Sequence, residues 1–383
     1  MKKHILFLVH GMGSYGKFED GKWEPETDGW FKESEKTLRD LYDKFVKDEP
    51  KLGAGRTFDD CFVIEKVVYD NFMERYRVSW QNQSANWTAF PNDNGLTKAL
   101  TKFFAGNKDD AFLWTHAADV LLYASPVVEP AIWPDVGGQI LKALKKHHNN
   151  LALGDWSVIA HSLGTAVANS ALQRLRATAA QDPELGAVLS PPRVVCMVAN
   201  VARALAPPSE AYGEMVAPEG DLGVQHYLSC SHSLDPFTRI RPFAANGPKW
   251  MNPKRYVALN DLSGFYLADE FIDWVQDWND FDKFGAVVPH GFSHYLRQPR
   301  VAAQLWPRLM GRSPSETPNL EGAVRTANEQ LVLATIGDHI RKKLEQEVRQ
   351  RLEAALGGVT LPTTKEDFAK LLPVVLRQLK GFQ

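Results

Sequence analysis

The residues Ala160-His161-Ser162-Leu163-Gly164 place a serine between two different patterns. Before it runs an apolar stretch, Trp156-Ser157-Val158-Ile159. After it comes a run of small residues with helical character, Thr165 to Leu172. A strand, a tight turn and a helix, with serine at the turn, lift the hydroxyl out of the fold at the end of a sheet, where it is placed as a nucleophile. Such a turn crowds strand and helix backbones together and needs small residues two before and two after the serine. Ala160 and Gly164 hold those positions, with alanine standing where the commoner pattern has glycine. The competing reading makes Ser162 a helix N-cap, a position that favours serine.

A serine nucleophile needs a base, and the base needs an orienting carboxylate. Beyond Ser162, apolar runs predict strands over 193–201 and 225–230, and Asp235-Pro236 follows the second of them. Proline presets its own backbone and restricts the residue before it, so Asp235 sits in a fixed turn and is the candidate acid. The segment 287–296 offers two histidines, His290 and His294. His161 adjoins the nucleophile, but neighbours on such a turn point apart, so it is not expected to be the base. His232 is a candidate supporting partner.

The N-terminus adds a second part of the same chemistry. Lys3 to Val9 reads as a buried strand that ends in His10-Gly11-Met12-Gly13. Acyl transfer passes through a negative oxygen that needs preorganised N–H donors. The backbone amides of Met12 and Leu163 are the expected oxyanion hole, in a loop opened by His10 and Gly11. Gly11 to Gly16 also matches the Gly-x-Gly-x-x-Gly dinucleotide fingerprint, which requires a helix to start there. Lys17 to Pro25 carries Gly and Pro and no helical period, which argues against it.

Taken together, His10-Gly11, Ala160 to Gly164, Ser233 to Pro236 and His294-Tyr295 resemble the α/β-hydrolase family of lipase and esterase type, over roughly residues 4 to 310. The resemblance implies an α/β fold with a mostly parallel, eight-stranded sheet flanked by helices. It also implies hydrolysis through an acyl-enzyme on Ser162, with the triad in the chain order serine, acid, histidine and with no cofactor. In that layout the histidine lies in a loop opening into the last helix. Ser293-His294-Tyr295-Leu296 leads into such a helix, Pro299 to Leu309, so His294 is the expected base and His290 the alternative.

The remainder of the chain bounds the reading. It has 383 residues and a formal net charge of −2, so there is no basic footprint for nucleic acid. Cys61, Cys196 and Cys230 form no Cys-x-x-Cys and no metal spacing, and read as buried thiols in a reducing compartment. No metal motif is present. Ile5 to Val9 is too short for a signal-peptide core, so a cytoplasmic location is expected, with export by a non-classical route compatible. No run is long enough to cross a membrane.

Residues 1–310 are expected to form the catalytic domain. Within it, 81–133 is expected to be an inserted cap carrying Trp87, Phe90, Phe103, Phe104, Phe112, Trp114 and Trp133. These aromatics either line an acyl pocket, which suits lipid esters, or pack the insertion onto the core. Gly311 to Leu320 reads as a linker to a helical extension, 311–383. There Leu333, Ile336, Ile340, Leu344, Val348 and Leu352 fall on one stripe that must cover the core, a second copy or a partner. Two rival functions remain: a non-catalytic module that binds a partner through this tail, and a thioesterase or amidase using the same triad.

Overall fold

Alternating and continuous apolar runs build a six-stranded sheet in the computed structural model, which describes residues 3–11, 16–19, 22–25, 29–69, 123, 129–147, 155–205, 212–213, 215–219, 223–233, 235–239, 241–264 and 290–331. Its strands are β1 (His4–Val9), β4 (Phe62–Val67), β5 (Trp156–His161), β6 (Val194–Val198), β7 (His226–His232) and β8 (Tyr256–Leu262). They lie in the order β4-β1-β5-β6-β7-β8, every neighbouring pair parallel. A separate antiparallel ribbon pairs β2 (Gly16–Glu19) with β3 (Lys22–Pro25). The expected eight-stranded, mostly parallel sheet is corrected to six all-parallel strands among the described residues.

Parallel strands buried on both faces need helices on both faces. Along β1, Ile5, Phe7 and Val9 point into one core while Leu6 and Leu8 point into the other. The first core is covered by α1 (Glu129–His147) and α2 (Leu163–Ala179), through residues such as Ile140, Leu144, Val167 and Leu172. The second is covered by the amphipathic helix Trp30–Phe45, the one-and-a-half-turn helix Phe292–Leu296 and the helix Pro299–Leu309. Trp133, assigned to the cap on sequence grounds, instead lies within α1 and packs against the first core.

The order of the strands creates the site. From β1 the chain moves outward to the edge strand β4, then returns to place β5 on the other side of β1. Ligand crevices in open α/β sheets form at the strand C-termini where the order reverses in this way. Val9 of β1 lies beside Ala160 of β5, so His10-Gly11 and His161-Ser162 leave the sheet side by side.

The chain divides into two compact units, 1–328 and 329–383. The expected boundary at 310 moves because the predicted linker docks on the first unit. It forms a short turn, Pro314–Glu316, with a reciprocal Ser313–Glu316 cap. Lys51 Nζ donates to the Glu316 carbonyl at 2.9 Å, and Leu320 and Val324 are buried in the second core. Asn328 Nδ2 donates to the Arg297 carbonyl at 2.7 Å. The expected cap from 81 to 122, Met12, and the stripe from Leu333 onward lie outside the described residues. Among the described residues no helix is long and apolar enough to cross a membrane.

Candidate active site

Ser162 follows the last residue of β5 and precedes the first residue of α2, with φ 51° and ψ −126°. A positive φ is strained for a residue with a Cβ, and such strain persists only where the surroundings hold it. Here the Ser162 amide donates to the Val198 carbonyl at 3.0 Å. The Thr165 amide and hydroxyl donate to the Ser162 carbonyl at 2.8 and 2.7 Å. Ser162 occupies the N-cap position of α2, but its side chain makes no capping hydrogen bond to the helix.

The two flanking positions are unequal. A Cβ on Gly164 would stand 2.0 Å from the His10 carbonyl oxygen and 2.9 Å from that of Val9, both backbone atoms that cannot swing aside. Glycine is therefore required where α2 crosses the end of β1. Ala160, in contrast, directs its methyl into the first core and is fully buried there. The alanine two residues before the serine is an ordinary core residue.

The structure brings His290, and not His294, to Ser162. His290 Nε2 lies 2.7 Å from Ser162 Oγ, and its Nδ1 lies 2.8 Å from Asp235 Oδ2. His294, the expected base, is fully buried within the helix Phe292–Leu296. Its Nε2 meets Gln298 Nε2 at 3.1 Å and its ring stands edge-on to His232 at 5.1 Å. The reason is helical geometry. His290 precedes the helix on an irregular turn, whereas four residues later the chain has made one turn into the packed layer behind the site.

Asp235 lies three residues beyond the last residue of β7 and is fully buried. Its Oδ2 accepts from the Tyr295 hydroxyl at 2.7 Å as well as from His290, and its Oδ1 accepts from the Phe237 amide at 3.0 Å. Burial works to raise its pKa. The His290 imidazole and the hydrogen bonds from His290, Tyr295 and the Phe237 amide outweigh that and hold the carboxyl below its ordinary 3.8. Burial, and then the charge of Asp235, push the Tyr295 phenol well above 10.0, so it stays a donor. The Tyr295 oxygen in turn accepts from the His232 amide at 2.9 Å. His232 thus supports the acid through its backbone.

On the oxyanion side, Leu163 is the first residue of α2, and an amide in the first turn of a helix has no acceptor within the helix. Gly11 packs close: a Cβ there would lie 2.9 Å from both Ser162 Cβ and His161 Nδ1. His10 is buried and stacks on Tyr69 with ring centroids 4.3 Å apart. The Tyr69 hydroxyl donates to the carbonyls of His10 and Gly11 at 3.0 and 2.9 Å, fixing the start of the loop. Sequence reasoning missed Tyr69 and Tyr295 as supports. Only Tyr295 carried a signal, its place beside the two histidines.

Cys61, Cys196 and Cys230 are buried free thiols. Among the described residues no group of three His, Cys, Asp or Glu side chains is arranged to hold a metal ion. No family model, curated protein or solved structure matches this chain.

Proposed function

We propose that this protein is a serine hydrolase of the α/β-hydrolase type that cleaves carboxylic esters through an acyl-enzyme on Ser162. The observation that carries the reading is the unbroken chain from Ser162 Oγ to His290 at 2.7 Å and from His290 to Asp235 at 2.8 Å. An ionised carboxylate only accepts hydrogen bonds, so Asp235 draws the imidazole proton to Nδ1. That leaves Nε2 as the acceptor for the Ser162 hydroxyl.

The hydroxyl oxygen attacks the ester carbonyl carbon as its proton passes to His290 Nε2. Asp235 offsets the positive imidazolium that results. The Leu163 amide donates to the new oxyanion, and the loop that opens with His10 and Gly11 supplies the second donor. Collapse expels the alcohol with the proton from His290. Water, activated by the same histidine, then releases the acid. The aromatic content of 81–133 favours an acyl-lipid or phospholipid ester over a small one.

Labelling with a fluorophosphonate probe, with the modified peptide mapped by mass spectrometry, tests the reading. Stoichiometric label on Ser162, absent in Ser162→Ala, is the expected result. A folded wild-type protein that never takes label refutes an activated serine.

A further inference from the structure

His161 lies one residue before Ser162 and is not part of the Ser162-His290-Asp235 chain, yet it touches it. As the last residue of β5 it points to the face opposite Ala160, into the layer formed by Trp30 and Phe292. Its ring stacks on Trp30 at 6.0 Å and 20°, and meets Phe292 edge-on at 6.0 Å and 85°. From this packed position its Nε2 reaches the backbone carbonyl of His290 at 2.6 Å. The two residues are 129 positions apart in sequence.

We propose that His161 is a positioning residue for His290, tying the backbone of the base to the turn that carries the nucleophile. The inference rests on the serine-hydrolase reading. The imidazole of His290 is fixed by Ser162 and Asp235 at its two nitrogens and flanked by the Phe237 ring at 4.8 Å. Those contacts fix the ring but not the peptide that bears it. The peptide precedes Gly291, the N-cap of the helix Phe292–Leu296. The His161 hydrogen bond supplies that anchor, from the residue covalently joined to Ser162.

A carbonyl oxygen accepts only, so the bond requires a proton on Nε2 of His161. Burial, followed by the neighbouring His290, depresses the pKa of His161 to about 3, so the ring is neutral and its single proton belongs on Nε2. Nδ1 then faces Gly11 as a bare nitrogen, without a hydrogen-bond partner among the described residues. Gly11 can approach because it has no Cβ, which would stand 2.9 Å from this nitrogen. One neutral imidazole thereby sets the spacing between the oxyanion loop, the nucleophile turn and the base.

Two substitutions separate the donor from the bulk. His161→Phe keeps an aromatic ring against Trp30 and removes the donor. His161→Gln places an amide nitrogen near the former Nε2. A displacement of the base by about 1 Å costs on the order of 10²-fold. The fluorophosphonate inactivation rate is expected to fall about 10- to 100-fold in His161→Phe and to stay within a few-fold of wild type in His161→Gln. In a His290→Ala background, His161→Phe should cause no further loss, since its effect runs through the base.

The downfield proton resonance of His290 Nδ1 gives a readout independent of turnover. It should persist in wild type and His161→Gln and vanish or broaden in His161→Phe. Wild-type labelling and an unchanged resonance in His161→Phe overturn the proposal. So does an equal loss of rate in both variants, or a further loss in the His290→Ala background, either of which marks a merely structural role. A wild-type protein without label refutes the hydrolase reading alone. The resonance then decides the positioning by itself, for it if lost only in His161→Phe and against it otherwise.

Discussion

Replacing each of the two neighbouring histidines by alanine produces opposite outcomes. His290→Ala removes the imidazole that meets Ser162 Oγ at 2.7 Å, and leaves Asp235 with Tyr295 and the Phe237 amide as donors. Loss of the histidine of a serine triad costs on the order of 10⁴- to 10⁶-fold, or roughly 5–8 kcal/mol at about 1.36 kcal/mol per decade. His290 is partly exposed, so folding should change little, with a melting temperature close to wild type. His294→Ala should do the reverse. Its ring is fully buried against His232 and hydrogen-bonded to Gln298, so deletion opens a cavity and strips a partner from a buried amide. Together these cost about 2–4 kcal/mol of stability, seen as a melting temperature lowered by several degrees. Ser162, His290 and Asp235 stay in place, so activity below the melting range should remain within about tenfold of wild type. The assay is the fluorophosphonate rate and hydrolysis of p-nitrophenyl butyrate, run beside a thermal melt by circular dichroism. A His294→Ala protein that is folded but unreactive, or a His290→Ala protein that labels normally, would falsify the assignment of the base.

Three further outcomes follow from the same geometry. Gly164→Ala drives a methyl to 2.0 Å from the His10 carbonyl oxygen and should cost about 3 kcal/mol or more, while Ala160→Gly costs only about 1 kcal/mol. Denaturant titration ranks the two, and equal effects would contradict the close crossing of α2 over β1. Tyr295→Phe deletes a donor to Asp235 and the acceptor of the His232 amide, so a loss of about 1.5–3 kcal/mol is expected in urea melts, with a slower but measurable labelling rate. Finally, stability should fall from about pH 6.5 downward, ahead of the carboxylate range. Burial lowers the pKa of His161 to about 3 and that of His4 well below 6.5, so below 6.5 the unfolded chain binds protons that the folded chain refuses. The slope approaches about 1.4 kcal/mol per pH unit for each such histidine, and His161→Phe should flatten it. Asp235 adds a lower step: its folded pKa lies below 3.8, so its contribution is present above that value and is lost as pH falls through the folded pKa. A stability plateau extending unchanged from pH 7 to pH 5 would show that these histidines are not buried neutral.

What the sequence by itself determined was local. The apolar runs marked β1, β5, β6 and β7, because a strand covered on both faces must be apolar along its length. The small residues around Ser162 marked the turn, and Asp235-Pro236 marked the carboxylate, because each rests on the backbone preferences of adjacent residues. The helix Pro299–Leu309 was likewise legible. The edge strand β8 was not, since only Leu259 and Leu262 are buried along its length and its pattern resembles a loop. The choice between His290 and His294 was also beyond local reading. It depends on distances to Asp235 and Ser162, which are 55 and 128 residues away, and on which side of a helix start each histidine falls. The anchors Tyr69, His161 and Tyr295 act through contacts 58, 129 and 60 residues apart. Only the folded sheet, by reversing its strand order between β1 and β5, brings those distant residues to one edge.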